Sequence, residues 1–166
     1  MAKISKRHFL KTKETKKLFQ KFTEETKVKI ENVLGKKSKV EFLEVDSIEI
    51  YVVDNKPLMA KINEKLIPTL KFKEALQFLP KIIVDMGAVP HICNGADLMA
   101  PGIIEILGEF ERDSIILIVD EKYGKPLAVG VALFSSEEIK SMEKGKVVEN
   151  LHYIGDKLWK ILKSLS

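Results

Sequence analysis

"VDMGAVPHICNGADLMAPGI", Val84 to Ile103, gathers three glycines, two prolines, a histidine and the chain's only cysteine. That mixture admits a metal or thiol site, a phosphate-cradling loop, or a structural turn. His91 and Cys93 form only an H-x-C pair, and His8 and His152 are not spaced near it, whereas structural zinc needs four ligands. No metal is therefore expected. A Cys93 nucleophile needs a base, but on a strand His91, two residues away, points to the opposite side, and on a helix the two diverge. An inert, buried Cys93 follows. Neither a Walker loop nor a G-x-G-x-x-G occurs, so no nucleoside-triphosphate enzyme and no cofactor is expected. What remains is a glycine-bracketed turn-helix-turn. Gly87-Ala88 opens a short helical element through "VPHICNG", Gly95-Ala96 closes it, and the strand that follows stops at Pro101-Gly102. Glycine lets a ligand approach the main chain where a side chain would obstruct it. The structural alternative for Gly95 and Gly102, a positive φ in a tight turn, stays open.

Around this stretch, "KIIVD", "SIILIVD" and "PLAVGVALF" read as strands punctuated by glycines, the pattern of a small barrel with sharply bent strands. Ser135 followed by Glu138 is a capping box opening a helix over "SSEEIKSMEKG" that stops at Gly145. The tail "KVVENLHYIGDKLWKILKSL" predicts a strand, a Gly-Asp turn and an amphipathic helix bearing Leu158, Trp159 and Leu162.

The amino-terminal half has a different texture. Lys3 to Leu10 reads as a strand, and a helix N-capped at Thr12 or Thr15 runs to Gly35, with Leu18, Phe19, Phe22, Thr26, Ile30 and Val33 in one stripe. "KVEFLEVDSIEIYVVD" and "KPLMAKI" form an antiparallel meander about the turn Asp54-Asn55. Ile48, Ile50 and Val52 should present one sheet face to the preceding helix. "LIPTLKFKEALQFLP" supplies a short helix with Leu70, Ala75 and Leu79 as contacts, closing at Pro80.

The expected class is α+β, with a small basic α+β domain over 1–78 and a mostly β domain with a C-terminal helix over 79–166. Residues 1–78 hold 18 Lys/Arg against 11 Asp/Glu, whereas 79–166 hold 10 against 13. Lys13, Lys17 and Lys21 lie on the polar side of the first helix, where a polyanion would meet them; a solvated, solubilising face is the alternative. One cysteine, a charged start and no uninterrupted apolar span argue for a reducing, cytoplasmic setting without membrane contact.

Three blocks in order carry a resemblance: "DMGA" (Asp85 to Ala88), "NGADLMAPGI" (Asn94 to Ile103) and "GKPLAVGVALFSSEEI" (Gly124 to Ile139). Over about 80–154 the chain resembles the PUA domain, the RNA-binding pseudobarrel named for pseudouridine synthases and archaeosine transglycosylases. With "GKVVENLHYIGDKLWK" and the basic domain in front, it is similar to the malignant T-cell amplified sequence family, which pairs a pre-PUA domain with a PUA domain; an archaeal member is implied. The resemblance implies binding of structured RNA, such as a tRNA acceptor end, without catalysis. The implied surface is Gly87, Ala88, Gly95, Ala96, Asp97, Met99, Pro101 and Gly102, with His152 and Tyr153 on a late strand, Val147 to Tyr153. Leu98 falls to the core. Asp97 would accept from a base or 2′-hydroxyl and Met99 would cover a base. Ala100 stands where many RNA-modifying relatives carry a basic residue, which implies a weaker grip on phosphate.

The resemblance implies a translation role, with the basic domain docking on ribosomal RNA of the small subunit and an initiation-factor-like protein as a further partner. Two alternatives from other classes stay open: an accessory subunit or relative of an RNA-modifying enzyme, and a protein-interaction adaptor in translation initiation whose lysines only solubilise it.

Overall fold

The computed structural model describes residues 3–35 and 37–165. The chain divides into two compact units, Met1–Phe78 together with Lys157–Ser166, and Leu79–Asp156. Among the described residues no helix is long and apolar enough to cross a membrane.

The first unit is built on a five-stranded antiparallel sheet in the order β1-β2-β3-β4-β5: β1 (Ile4–Phe9), β2 (Val40–Val45), β3 (Ile48–Val53), β4 (Lys56–Ile62) and β5 (Lys65–Pro68). Three two-residue turns set its register. Asp46-Ser47, Asp54-Asn55 and Asn63-Glu64 all have positive φ at both positions, the primed geometry whose twist matches that of the flanking strands. The Asn63-Glu64 turn makes a strand of Lys65–Pro68, where the sequence suggested the lead-in to a helix. The helix that follows, α2, is confined to Lys73–Leu76.

Helix α1 spans Thr12–Thr26 and stops well short of Gly35. Its N-cap is Lys11, whose N–H donates to Glu14 Oε1 at 2.9 Å. At the other end Lys27 turns left-handed at φ 62° and its N–H reaches the Thr23 carbonyl. The Thr26 hydroxyl donates to the Phe22 carbonyl and accepts from the Val28 N–H, so orphaned polar groups are satisfied without glycine. Phe22 stacks on Phe72 with centroids 5.7 Å apart. The Glu25 carboxylate accepts the Leu66 N–H of β5.

The face bearing Ile48, Ile50 and Val52 is covered, though not by α1. The last helix, α5 (Lys157–Leu165), lays Leu158, Ile161 and Leu162 against Leu43, Val45, Ile50 and Ala60. This corrects the expectation that the terminal helix belongs with the second domain: its apolar stripe finds its core on the first sheet. Trp159 sits at the edge of that contact, with the Lys71 and Lys163 ammonium groups 5.0 and 5.5 Å from its ring.

The second unit is a mixed six-stranded sheet in the order β7-β11-β10-β9-β6-β8, in which β6 (Lys81–Val84) runs parallel to β9 (Ile115–Asp120). The other strands are β7 (Leu98–Met99), β8 (Ile103–Leu107), β10 (Pro126–Ala132) and β11 (Lys146–Tyr153). Ile82, Val84, Ile116, Ile118, Ala128 and Val148 form its closed apolar centre. Two short helices lie outside the sheet, α3 (Val89–Ile92) and α4 (Ser136–Lys140). The capping box at α4 is made in full, Glu138 N–H to Ser135 Oγ and Ser135 N–H to Glu138 Oε1, but the helix ends five residues before Gly145. Strands β10 and β11 shift register between Val129 and Gly130, and a Cβ at Gly130 would lie 2.7 Å from the Glu149 carbonyl oxygen. Only glycine fits this approach of backbone to backbone.

Buried Asp120, at the end of β9, accepts the N–H groups of Tyr123 and Lys125, and these bonds, that from Tyr123 foremost, hold its carboxyl below the usual carboxylate range. A carboxyl with a depressed folded-state pKa adds stability above its unfolded value, and that stability is lost as pH falls through the folded value. Asp120→Asn is expected to lower the urea midpoint at about pH 7, with the gap between the two proteins narrowing as the pH falls through the parent's depressed folded-state value. Denaturation midpoints measured across pH check this; a gap of the same size at both ends contradicts it.

Candidate nucleic-acid interface

Val84–Ile103 leaves the sheet at β6 and returns at β8 as a pinned loop. The Asp85 N–H donates to the Gly102 carbonyl at 3.0 Å, joining its two ends, while Asp85 Oδ1 accepts the Ala88 N–H at 2.8 Å. With Pro90 in its first turn, α3 runs one turn and is closed by Gly95 N–H to Ile92 O and Ala96 N–H to His91 O, both 3.0 Å. Gly95 has φ +93°, and a Cβ there would lie 3.0 Å from the Tyr153 hydroxyl oxygen. Its glycine thus meets a positive φ and a close contact at once. At Gly102 no positive φ occurs; the constraint is proximity, with Ala88 Cβ 3.2 Å from where its own Cβ would be.

Asn150, on β11, holds this loop from outside. Its side-chain amide donates to the carbonyls of Ile92 (3.1 Å) and Ala96 (3.0 Å), and its main-chain N–H donates to Asp97 Oδ1 (2.8 Å). Asp97 Oδ2 pairs with Lys146 Nζ at 2.9 Å, and this hydrogen-bonded partner raises the Lys146 pKa. Both Asp97 oxygens are therefore engaged within the protein. Asn150 Oδ1 is buried without a hydrogen-bond partner among the described residues.

The loop encloses one side of a notch of about 400 Å³. Ala88, Ala96, Asp97, Met99, Pro101 and Gly102 line it, with Leu98 buried at its base as the sequence implied; Asp85, His91 and Ile92 complete the wall. Met99 is 48% exposed. Gly87 is exposed outside this lining, and Gly95 lies beneath Tyr153. His152 is a correction: it is fully buried, its Nδ1 2.9 Å from the Asp156 carboxylate, so it anchors the turn after β11 and offers no ring to a ligand. Tyr153 is half-buried over Gly95, its N–H on Asp156 Oδ2. In the first unit, Lys13 and Lys17 are exposed on α1, whereas Lys21 is half-buried 3.9 Å from Glu25.

Two residues escaped the sequence reading. Asn150 was visible only as a polar residue inside an apolar strand. His91, weighed there as a metal or thiol partner, instead stands exposed at the rim, its ring without a hydrogen bond among the described residues. Burial pushes the Cys93 thiol up, which keeps it protonated and unreactive at neutral pH. Among the described residues no group of three or more His, Cys, Asp or Glu could hold a metal ion. Removing the Asn150 amide deletes two hydrogen bonds that hold the loop: Asn150→Ala is expected to cost about 1–3 kcal/mol in denaturant unfolding and to speed amide exchange at Gly95 and Ala96. Unchanged exchange there would contradict the latch.

The chain matches two family models, the PUA domain over residues 80–154 and a domain of unknown function (DUF1947) over 6–73. It is 41% identical to an uncharacterized protein of Methanocaldococcus jannaschii, over 94% of this chain and 96% of the other. Translation machinery-associated protein 20 of Eremothecium gossypii is 36% identical, covering 86% and 83%. Malignant T-cell-amplified sequence 1 of Rattus norvegicus is 33% identical, covering 78% and 75%. In structure, a PUA-domain protein of Aeropyrum pernix solved with tartrate superposes with a TM-score of 0.88 at 25% identity, over 99% of this chain and 94% of that one. The α+β class and the PUA pseudobarrel expected from the sequence are thus both present, and the chain belongs to the family of malignant T-cell-amplified sequence 1 and translation machinery-associated protein 20, in which a DUF1947 domain precedes a PUA domain.

Proposed function

We propose that this protein is a non-catalytic RNA-binding protein of translation that seats the unpaired end of a structured RNA, such as a tRNA acceptor end, in the notch of the second unit. The carrying observation is the notch itself: a volume within the range of small-ligand pockets, walled by Ala88, Ala96 and Gly102, with exposed Met99 at its lip. A base is flat and apolar on its faces and polar at its edge. Met99 and Pro101 offer it a face, and the His91 ring offers its edge a donor or acceptor. Asp97 serves by shaping the loop, since Lys146 and Asn150 occupy its oxygens. The Cys93 thiol lies outside the notch lining and is held protonated by burial, and Asp97 is paired with Lys146, which favours binding over nucleophilic modification chemistry.

The relatives' name, translation machinery-associated protein, supports placing that binding in translation, in the cytoplasm. Exposed Lys13 and Lys17, with Lys21 beside them, give the first unit a cationic helix face for ribosomal RNA of the small subunit, a salt-sensitive contact. Two modest attachments on one molecule reinforce each other through effective concentration, and an initiation-factor-like protein partner would act alongside them.

An acceptor-stem minihelix bound with and without its CCA end, across a salt series, tests the reading. Deleting CCA is expected to weaken binding about ten-fold, and Met99→Asp to abolish that difference, since stacking on one side chain accounts for a change of this order per base. Equal affinities with and without CCA would contradict it.

A further inference from the structure

We propose that the first unit carries an RNA site of its own, a cleft that takes one unpaired nucleotide from the interior of a single strand; the inference rests on the reading that the protein binds RNA and adds an aromatic subsite beside the Lys13 and Lys17 helix face. The cleft encloses about 510 Å³ between the end of β1, the first turns of α1 and the segment leading into β2. Phe9 and Phe19 give it aromatic walls, and Phe9 is 63% exposed. Lys16, Lys37 and Lys39 stand around it, all exposed, and among the described residues no carboxylate lines it.

The charges there are unspent. Elsewhere in this unit Lys6, Arg7 and Lys21 pair with Glu44, Glu41 and Glu25. Lys16, Lys37 and Lys39 make no ion pair among the described residues, and the hydroxyls of Thr12 and Thr15 at the same cleft make no hydrogen bond there. An aromatic face left in water beside uncompensated cations and free hydroxyls is complementary to a nucleotide: the base stacks, the phosphates meet ammonium groups, and the ribose meets the hydroxyls. The run Lys11, Lys13, Lys16 and Lys17 continues the cationic surface past the cleft, as a strand threading through would require. A duplex cannot use the site, because its bases are stacked and paired inside.

The test uses the full chain and a fluorescent oligoadenylate whose 3′ end carries the dye, so that the notch of the second unit cannot take a free terminus. Anisotropy at constant salt compares it with a blunt RNA duplex of equal charge. The parent is expected to prefer the single strand by about five-fold or more, and Phe9→Ala to weaken single-strand binding about ten-fold while sparing the duplex and the acceptor minihelix. Phe9→Trp is expected to restore it, and the Lys37→Glu, Lys39→Glu double variant to weaken it without Phe9 being touched. Because Phe9 is exposed, melting temperatures of its variants should match the parent, which separates lost contact from lost fold. Equal binding of single strand and duplex, or single-strand affinity unaffected by Phe9→Ala, would overturn the site. So would displacement of the oligoadenylate by an acidic, aromatic-bearing peptide that binds more tightly, which would make the cleft a protein dock. Loss of CCA discrimination with Phe9-dependent binding intact would count against the notch alone.

Discussion

The Asn150 side chain reaching across to the carbonyls of Ile92 and Ala96 is the contact on which the notch depends. Val84–Ile103 places Val84, Ile92, Leu98 and Ala100 in the core, but its one-turn helix would not persist in isolation. Asn150 can serve because β11 is bulged opposite Gly130: Val129 pairs with His152 and Gly130 with Asn150, leaving one extra residue between. The Asn150 N–H donates to one Asp97 oxygen, and Lys146 fixes the other. A missing side chain at Gly130 and an amide at Asn150 thus jointly shape a surface neither of them lines.

The two units divide the electrostatic work. Cations of the first are numerous, and those of Lys16, Lys37 and Lys39 make no ion pair among the described residues, whereas the main cation near the notch, Lys146, is committed to Asp97. Under the proposed function, long-range attraction for a polyanion falls to the first unit and discrimination by shape to the second, whose notch is lined mostly by small and apolar residues.

Much of the fold was legible where a local signal has one cause. Asp54-Asn55 announced its hairpin, Ser135 and Glu138 their capping box, and Gly87 through Gly102 the turn-helix-turn. The rest depended on partners distant in sequence. Leu158 and Leu162 mark an amphipathic helix, but nothing local says that it packs on Leu43 and Ile50 rather than on the nearer barrel. Helix α1 ends because the Thr26 hydroxyl and a left-handed Lys27 satisfy its last turn, a stop that leaves no glycine to notice. His152 and Tyr153 were implied together by the resemblance, but burial in β11 comes in adjacent pairs, Val147-Val148 and Leu151-His152, so the strand takes His152 inward and leaves Tyr153 half-buried. Asp97 carries a role the sequence did not signal, tying the loop to β11 through the Asn150 N–H and the Lys146 ammonium.

A bound base must lie against the lip of the notch if the account holds. The direct measurement is a set of intermolecular nuclear Overhauser contacts between an acceptor-stem minihelix and protein labelled at the Met99 methyl and the Ala88 and Ala96 methyls. The account predicts contacts from these methyls to protons of the unpaired terminal bases, with none to the paired stem. Contacts confined to the stem, or terminal bases touching none of the three methyls, would contradict it.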